Sequence, residues 1–170
     1  MNQRANMLPA VQDAASDVFL HVDSRGGPIL GEATTEGHVD DIQLRTWSWG
    51  VSAGSAIGSG AQTARRSYRH LVVEKGIDRA STSLYGALVN NMDLREVVLT
   101  MRKAGGVALD YFRMTLGNAR VVDVDLVLDA AGRPNERVTF SFTRINVAYT
   151  PQQGSGGGGG ATEFEDEVLR

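Results

Sequence analysis

Apolar and polar positions alternate through most of this chain. In DVFLHVD, residues 17–23, Val18, Leu20 and Val22 fall two apart and so share one face of a strand. YRHLVVEKG, from residue 68, reads the same way. One segment departs from alternation. After GIDRAS, Leu84, Ala87 and Leu88 recur at helical spacing. Ser81 or Ser83 is expected to cap this helix, which ends near Asn90–Asn91, where Asn tolerates a left-handed conformation. Four strands are then expected in succession: LREVVLTMRK, ALDYFRMTL, ARVVDVDLVL and ERVTFSFTRINVAYT. Turns are placed at Gly105–Gly106, Gly117–Asn118 and Gly132–Pro134. Many strands at hairpin spacing with a single helix predict a mainly β fold, an antiparallel β-barrel or sandwich with one short flanking α-helix.

Two long segments break their own alternation. In DDIQLRTWSWGVS, residues 40–52, Ile42 and Leu44 share one phase, whereas Trp47, Trp49 and Val51 share the other. Near the C-terminus, Val138, Phe140 and Phe142 are followed by Ile145, Val147 and Tyr149 in opposite phase. A bulge within the subunit does this. So does a strand that runs past its own core and is covered by a neighbour. Both indoles need cover, since burying two tryptophans at about 25 cal/mol per Å² contributes up to about 8–12 kcal/mol before entropy is subtracted. Ser48 points away from them.

The organisation reads as an N-terminal extension, 1–16, a β-barrel domain, 17–152, and a Gly-rich linker with an acidic end, 153–170. A last short strand through Phe164 and Val168 is expected there. Two long loops, 24–40 and 52–67, flank the tryptophan strand. Loops of about 12–15 residues or more without secondary structure are usually functional or disordered.

Composition narrows the function. Net charge is −3 and the pI near 5.6, against a nucleic-acid-binding surface. The chain has no cysteine, hence no disulfide framework, thiolate nucleophile or cysteine metal site. The opening MNQRANMLPAVQDAAS has no apolar run of signal-peptide length, and no stretch approaches a membrane span. Export is therefore expected to proceed without a conventional signal. His21, His38 and His70 lie on different segments with no ligand spacing. Asp123 and Asp125 share one face of a cleanly alternating strand, the pattern of a solvated face. GSAIGSGAQ fits neither GxGxxG nor the P-loop and reads as a mobile hairpin loop. Arg65, Arg66 and Arg69 form a small basic cluster. No Ser/His/Asp order stands out, so no catalytic, cofactor-binding or metal-ligating residue is assigned, and no enzyme is required.

Four segments together carry a resemblance. DIQLRTWSWGVSAG resembles the tryptophan strand of the Hcp family (hemolysin-coregulated protein), the tube protein of bacterial type VI secretion systems. VEKGIDRAST is similar to that family's strand-to-helix junction, VVLTMRKAGG to its next strand and turn, and FTRINVAYTPQ to its last long strand. They occur in the family's order between about residues 17 and 169. The longer N-terminal extension departs from the family pattern, and the Gly run is unusually pure.

The resemblance implies a barrel assembled as a homohexameric ring. Rings stack into a tube that a contractile sheath expels, tipped by a VgrG spike and carrying effectors that the ring protects as a chaperone would. It implies no cofactor, nucleic acid or membrane partner, and a protein secreted from the bacterial cytoplasm. On this view Ser48 and Thr46 are candidates for the effector-facing lumen. Trp47, Trp49, Ile145, Val147 and Tyr149 are candidates for the subunit interface. Glu32, Glu36 and Asp40 in one loop, and Arg65 and Arg66 in the other, are candidates for ring stacking. The tube protein of a related phage-like contractile machine is the close alternative. A ligand-binding β-domain is the distant one, and it would need a deep pocket with convergent polar groups.

Overall fold

Alternation places the inward side chains first. Val18, Leu20 and Val22 all point into the core from β1 (Ser16–Ser24), as do Leu71 and Val73 from β7 (Leu71–Lys75). The computed structural model describes residues 15–54, 65–104, 108–151 and 158–168. The other strands are β2 (Gly27–Ile29), β3 (Ile42–Leu44), β4 (Thr46–Ser48), β5 (Val51–Ala53), β6 (Arg66–Tyr68), β8 (Leu94–Lys103), β9 (Asp110–Leu128), β10 (Pro134–Ser141), β11 (Arg144–Tyr149) and β12 (Thr162–Glu167). The single helix among the described residues, α1 (Ala80–Val89), lies between β7 and β8.

Ten strands form one antiparallel sheet in the order β2-β1-β8-β9-β10-β7-β4, with β3 on β1 and with β11 on β9 carrying β12. β5 and β6 form a separate hairpin. The sheet closes through the tryptophan segment. β3 pairs with β1 at one end of the order, β4 pairs with β7 at the other, and only Arg45 separates them. The Arg45 N–H donates to the Glu74 carbonyl at 2.8 Å, seating the crossing. Ile42 and Leu44 are buried before the crossing; Trp47 and Trp49 pack against the same core after it. The change of phase is therefore a corner, where a strand changes pairing partner and keeps its apolar side inward.

The second change of phase is also a corner, and it overturns an expected turn. Gly117–Asn118 does not end a strand: β9 runs unbroken for 19 residues. Its first half pairs with β8 and β11, its second with β10. Asn118 has φ +50°, and its amide donates to the Thr143 hydroxyl at 2.9 Å. Leu116 and Ile145 are paired and buried before the bend; Ala119 and Phe142 are buried after it. Both strands bend together there. Farther along, a register shift at Thr139/Phe140 leaves Val122 as an extra residue on β9, a bulge. Neither change of face needs a neighbouring subunit.

The helix presents Ala80, Leu84 and Ala87 to the core and packs on β9. Its cap differs from expectation. Asp78, not Ser81 or Ser83, accepts the Ala80 N–H at 2.9 Å, while the Asp78 N–H donates to the Ser81 hydroxyl at 3.1 Å. This is a reciprocal capping arrangement that frees Ser83. The C-terminus follows the expectation. Asn91 has φ +48°, with Met92 N–H bonded to Ala87 O at 2.9 Å and Asn91 N–H to Leu88 O at 3.1 Å, a Schellman motif.

The long loop 24–40 is more structured than expected. It includes β2, hairpinned to β1, and a folded segment in which Gly31 and Ala33 bond Asp40 and Asp41 through three backbone hydrogen bonds. Gly31 is required, because a Cβ there would meet the Asp41 carbonyl oxygen at 2.4 Å. The loop 52–67 is framed by the β5–β6 hairpin, and its centre, 55–64, lies outside the described residues. The expected N-terminal extension to residue 14, the Gly105–Gly106 turn and most of the Gly linker also lie outside them. The acidic end does form the expected strand, paired to β11 along its full length.

Candidate assembly surfaces

The outer face of β4, β7 and β10 is built by the residues that alternate with the core positions. Thr46, Glu74 and Arg137 make one row across it, and Ser48, Val72 and Thr139 the next. Arg137 pairs with Glu74 at 3.1 Å, and Asn135 donates to the same carboxylate at 3.1 Å. Thr46 and Ser48 are exposed and point away from the indoles, as alternation requires. Ser48 edges a depression of about 280 Å³ shared with Trp49, Arg69, His70, Val72 and Thr139.

The tryptophans are occupied within the subunit. Trp47 stacks on Phe112 with ring centroids 5.7 Å apart, and Trp49 on Tyr68 at 6.2 Å. Each is half-buried against the core, as is Val147. Ile145, expected at a subunit interface, is 1% exposed and belongs to the subunit's own core, because the corner at Thr143 turns it inward. Tyr149 is exposed. Behind Trp49, the Tyr68 hydroxyl donates to the Asp166 carboxylate, and Arg66 pairs with Asp166 at 2.9 Å. Burial, and then the Asp166 carboxylate, push the Tyr68 phenol up. The β5–β6 hairpin is thus tied to the C-terminal strand β12.

The stacking candidates divide. Asp40 pairs with Arg79 at 2.8 Å and Arg66 with Asp166, so both are engaged within the subunit. Glu32, Glu36 and Arg65 are exposed and carry no ion pair among the described residues. Glu36 contributes its carbonyl, which accepts from Arg102 at 2.7 Å.

Two charged clusters escaped the reading of the sequence. His38 is buried, stacked on Phe19 at 4.2 Å. Its Nδ1 meets Asp41 at 2.9 Å, its Nε2 meets Asp110 at 3.1 Å, and His21 meets the other Asp41 oxygen at 3.0 Å. Burial raises the Asp110 carboxyl, but hydrogen bonds from Arg102 and His38 outweigh it and hold the group below the usual range. The second cluster ties the helix to the barrel. Buried Lys75 donates to Glu136 at 2.6 Å, to Ser81 at 3.0 Å and to Asp78 at 2.7 Å. Ser81 also donates to Glu136 at 2.7 Å. Burial raises the Glu136 carboxyl, and Lys75, Tyr85 and Ser81 together bring it lower than usual; the carboxylate in turn pushes Tyr85 up to about 12. Among the described residues no group of three or more His, Cys, Asp or Glu could hold a metal ion. No helix among them is long and apolar enough to cross a membrane.

Comparison with known proteins agrees with this architecture. A family model described as "Type VI secretion system effector, Hcp" matches residues 19–149. The chain is 29% identical over 146 residues to "Protein hcp1" of Pseudomonas aeruginosa, covering 84% of this chain and 88% of the relative. It is 25% identical over 136 residues to the "Major exported protein" of the same organism, covering 75% and 79%. A solved "Structure of a type six secretion system protein" superposes with a TM-score of 0.80 at 22% identity, covering 91% of this chain and 96% of that one.

Proposed function

The chain belongs to the Hcp family of type VI secretion proteins, and from that premise we propose that it is a structural tube subunit, not an enzyme. Six copies close into a ring, and rings stack head to tail into the inner tube. The contractile sheath drives that tube, tipped by a VgrG spike, out of the bacterial cell. Effectors travel in the lumen, onto which the Thr46 and Ser48 face opens. The protein leaves the cytoplasm with the tube, in keeping with a relative named for its export.

One observation supports this reading most directly. The outer half of β9 leaves Val122, Leu126 and Leu128 between 41% and 70% exposed on one face, on a hairpin that extends beyond the core. A lone subunit would keep that apolar stripe in water, whereas a neighbour in a ring covers it. Tyr149 is a second exposed contact available to a neighbour.

Light scattering across micromolar concentrations, with negative-stain imaging of the same sample, tests the proposal. Six-subunit particles with a central hole are expected. A monomer at every concentration would overturn the reading.

A further inference from the structure

We infer that the depression beside Ser48 is a carboxylate-binding pocket, and that its occupant is an acidic side chain on a cargo protein. This rests on the lumen reading of Ser48.

The pocket is lined by Ser48, Trp49, Arg69, His70, Val72 and Thr139. No carboxylate lines it. The side chain that dominates it, Arg69, is exposed and makes no ion pair or side-chain hydrogen bond among the described residues. Most other arginines of the barrel do have such a partner: Arg66, Arg79, Arg102, Arg120 and Arg137 each face an acid. An arginine has only donors to offer, and its planar fork matches a carboxylate in two-point contact.

Arg69 lies close to the chain. Its guanidinium lies against Gly50, where a Cβ would come within 1.9 Å of the terminal nitrogen. Its own backbone N–H donates to the Gly50 carbonyl at 2.9 Å. A side chain at position 50 would push the guanidinium from its place beside the chain, between Trp49 and the β5 strand.

The remaining polar groups complete a donor set. The Ser48 and Thr139 hydroxyls and the His70 ring can each donate. Trp49 also lines the pocket, but its indole N–H is buried, so the ring serves as a reporter beside the site and not as one of its donors. The acids nearest on this face are directed elsewhere or stand off. Glu74 is taken by Arg137 and Asn135, and Asp123 lies one strand beyond Thr139. They leave Arg69 free and keep the positive site small, so a single carboxylate fits better than an extended acidic surface. Repetition around a ring would present the same site at every subunit, so that weak single contacts add.

The test uses the full chain. A short acetylated peptide containing two glutamates is titrated while the indole N–H resonances are followed. There are only two tryptophans, and Trp47→Phe assigns them. The expected result is a saturable shift of the Trp49 resonance, absent with the matching lysine peptide, and at least tenfold weaker in Arg69→Gln. Inorganic phosphate is titrated in parallel. A response to phosphate alone would make this a small-anion site and overturn the cargo assignment. Binding that survives in Arg69→Gln would overturn the pocket itself. Light scattering on the same variant separates the two readings. Loss of the oligomer in Arg69→Gln would make Arg69 a subunit contact and sink the proposal. If rings form but the Trp49 resonance never moves, this inference fails while the ring stands. Ser48→Cys labelled with maleimide gold locates the pocket: gold in the central hole is expected, and gold on the periphery overturns the assignment to cargo.

Discussion

Two charges that strand alternation places on apolar faces carry much of the joint between helix and barrel. Lys75 follows Leu71 and Val73 in phase, and Glu136 precedes Val138 and Phe140 in phase. That signal was present in the sequence: a lysine and a glutamate, each at an inward position, need each other. The pairing itself was not legible, since 61 residues separate them. Removing one partner leaves a buried, uncompensated charge. Lys75→Met is therefore expected to lower unfolding free energy by about 3–5 kcal/mol, and Lys75→Met/Glu136→Leu to recover most of it. Denaturant melts of the three proteins check this, and a double variant weaker than the single one would contradict it. Glu136 and Asp110 both titrate below their ordinary range in the folded state. Their contribution is complete above the unfolded value, about 4, and is lost as pH falls through the lower folded values. Thermal midpoints are thus expected to hold between about pH 5 and 7 and to drop below about 4. Glu136→Gln should soften that acid slope.

Corners decide how far the strands could be read. Strand existence was legible for β1, β7, β8 and β10, but only β7 and β10 bury one face cleanly; β1 also buries Phe19, and β8 Val98 and Thr100, on the other face. The corner at Gly117–Asn118 was misread as a turn because a positive-φ asparagine serves turns and bends alike. The clue that separates them lies in two strands at once. β9 changes phase between Leu116 and Ala119, and its partner changes phase between Phe142 and Ile145. A hairpin turn would have reversed the chain; a shared change of phase bends two strands that stay paired. Asn118→Val should cost about 1–2 kcal/mol for the left-handed backbone, in addition to the lost bond to Thr143. Asn118→Gly keeps the backbone and loses only the bond, so it should cost less. Equal losses in denaturant melts would mean that the backbone conformation is not what the site selects.

At the scale of the whole molecule, assembly depends on which polar and apolar groups the subunit leaves unspent. Ile145 lies in the subunit's own core, and the exposed stripe on the far half of β9 is the contact proposed in its place. Alternating aspartates had made that half read as an ordinary solvated strand, and only its projection beyond the core distinguishes it. Leu126→Glu/Leu128→Glu is expected to leave the barrel folded, by far-ultraviolet dichroism, and to shift the particle toward monomer in light scattering. An intact ring would move the interface elsewhere. Stacking follows the same logic. Of the five charges expected to join rings, Asp40 and Arg66 already have partners, and exchange of those partners gains little. Glu32, Glu36 and Arg65 remain available. Exposed pairs contribute only about 0–1 kcal/mol each, so the register of a stack comes from repetition around the ring. The chain has no native cysteine, so introduced ones report cleanly. Glu36→Cys/Arg65→Cys, oxidised, is expected to give covalent ladders that lengthen with ring number, and neither single variant should. Ladders from Glu36→Cys alone would indicate head-to-head stacking. Cross-links confined to single rings would place both loops on one face, and the charges that join rings would then have to be sought elsewhere on the barrel.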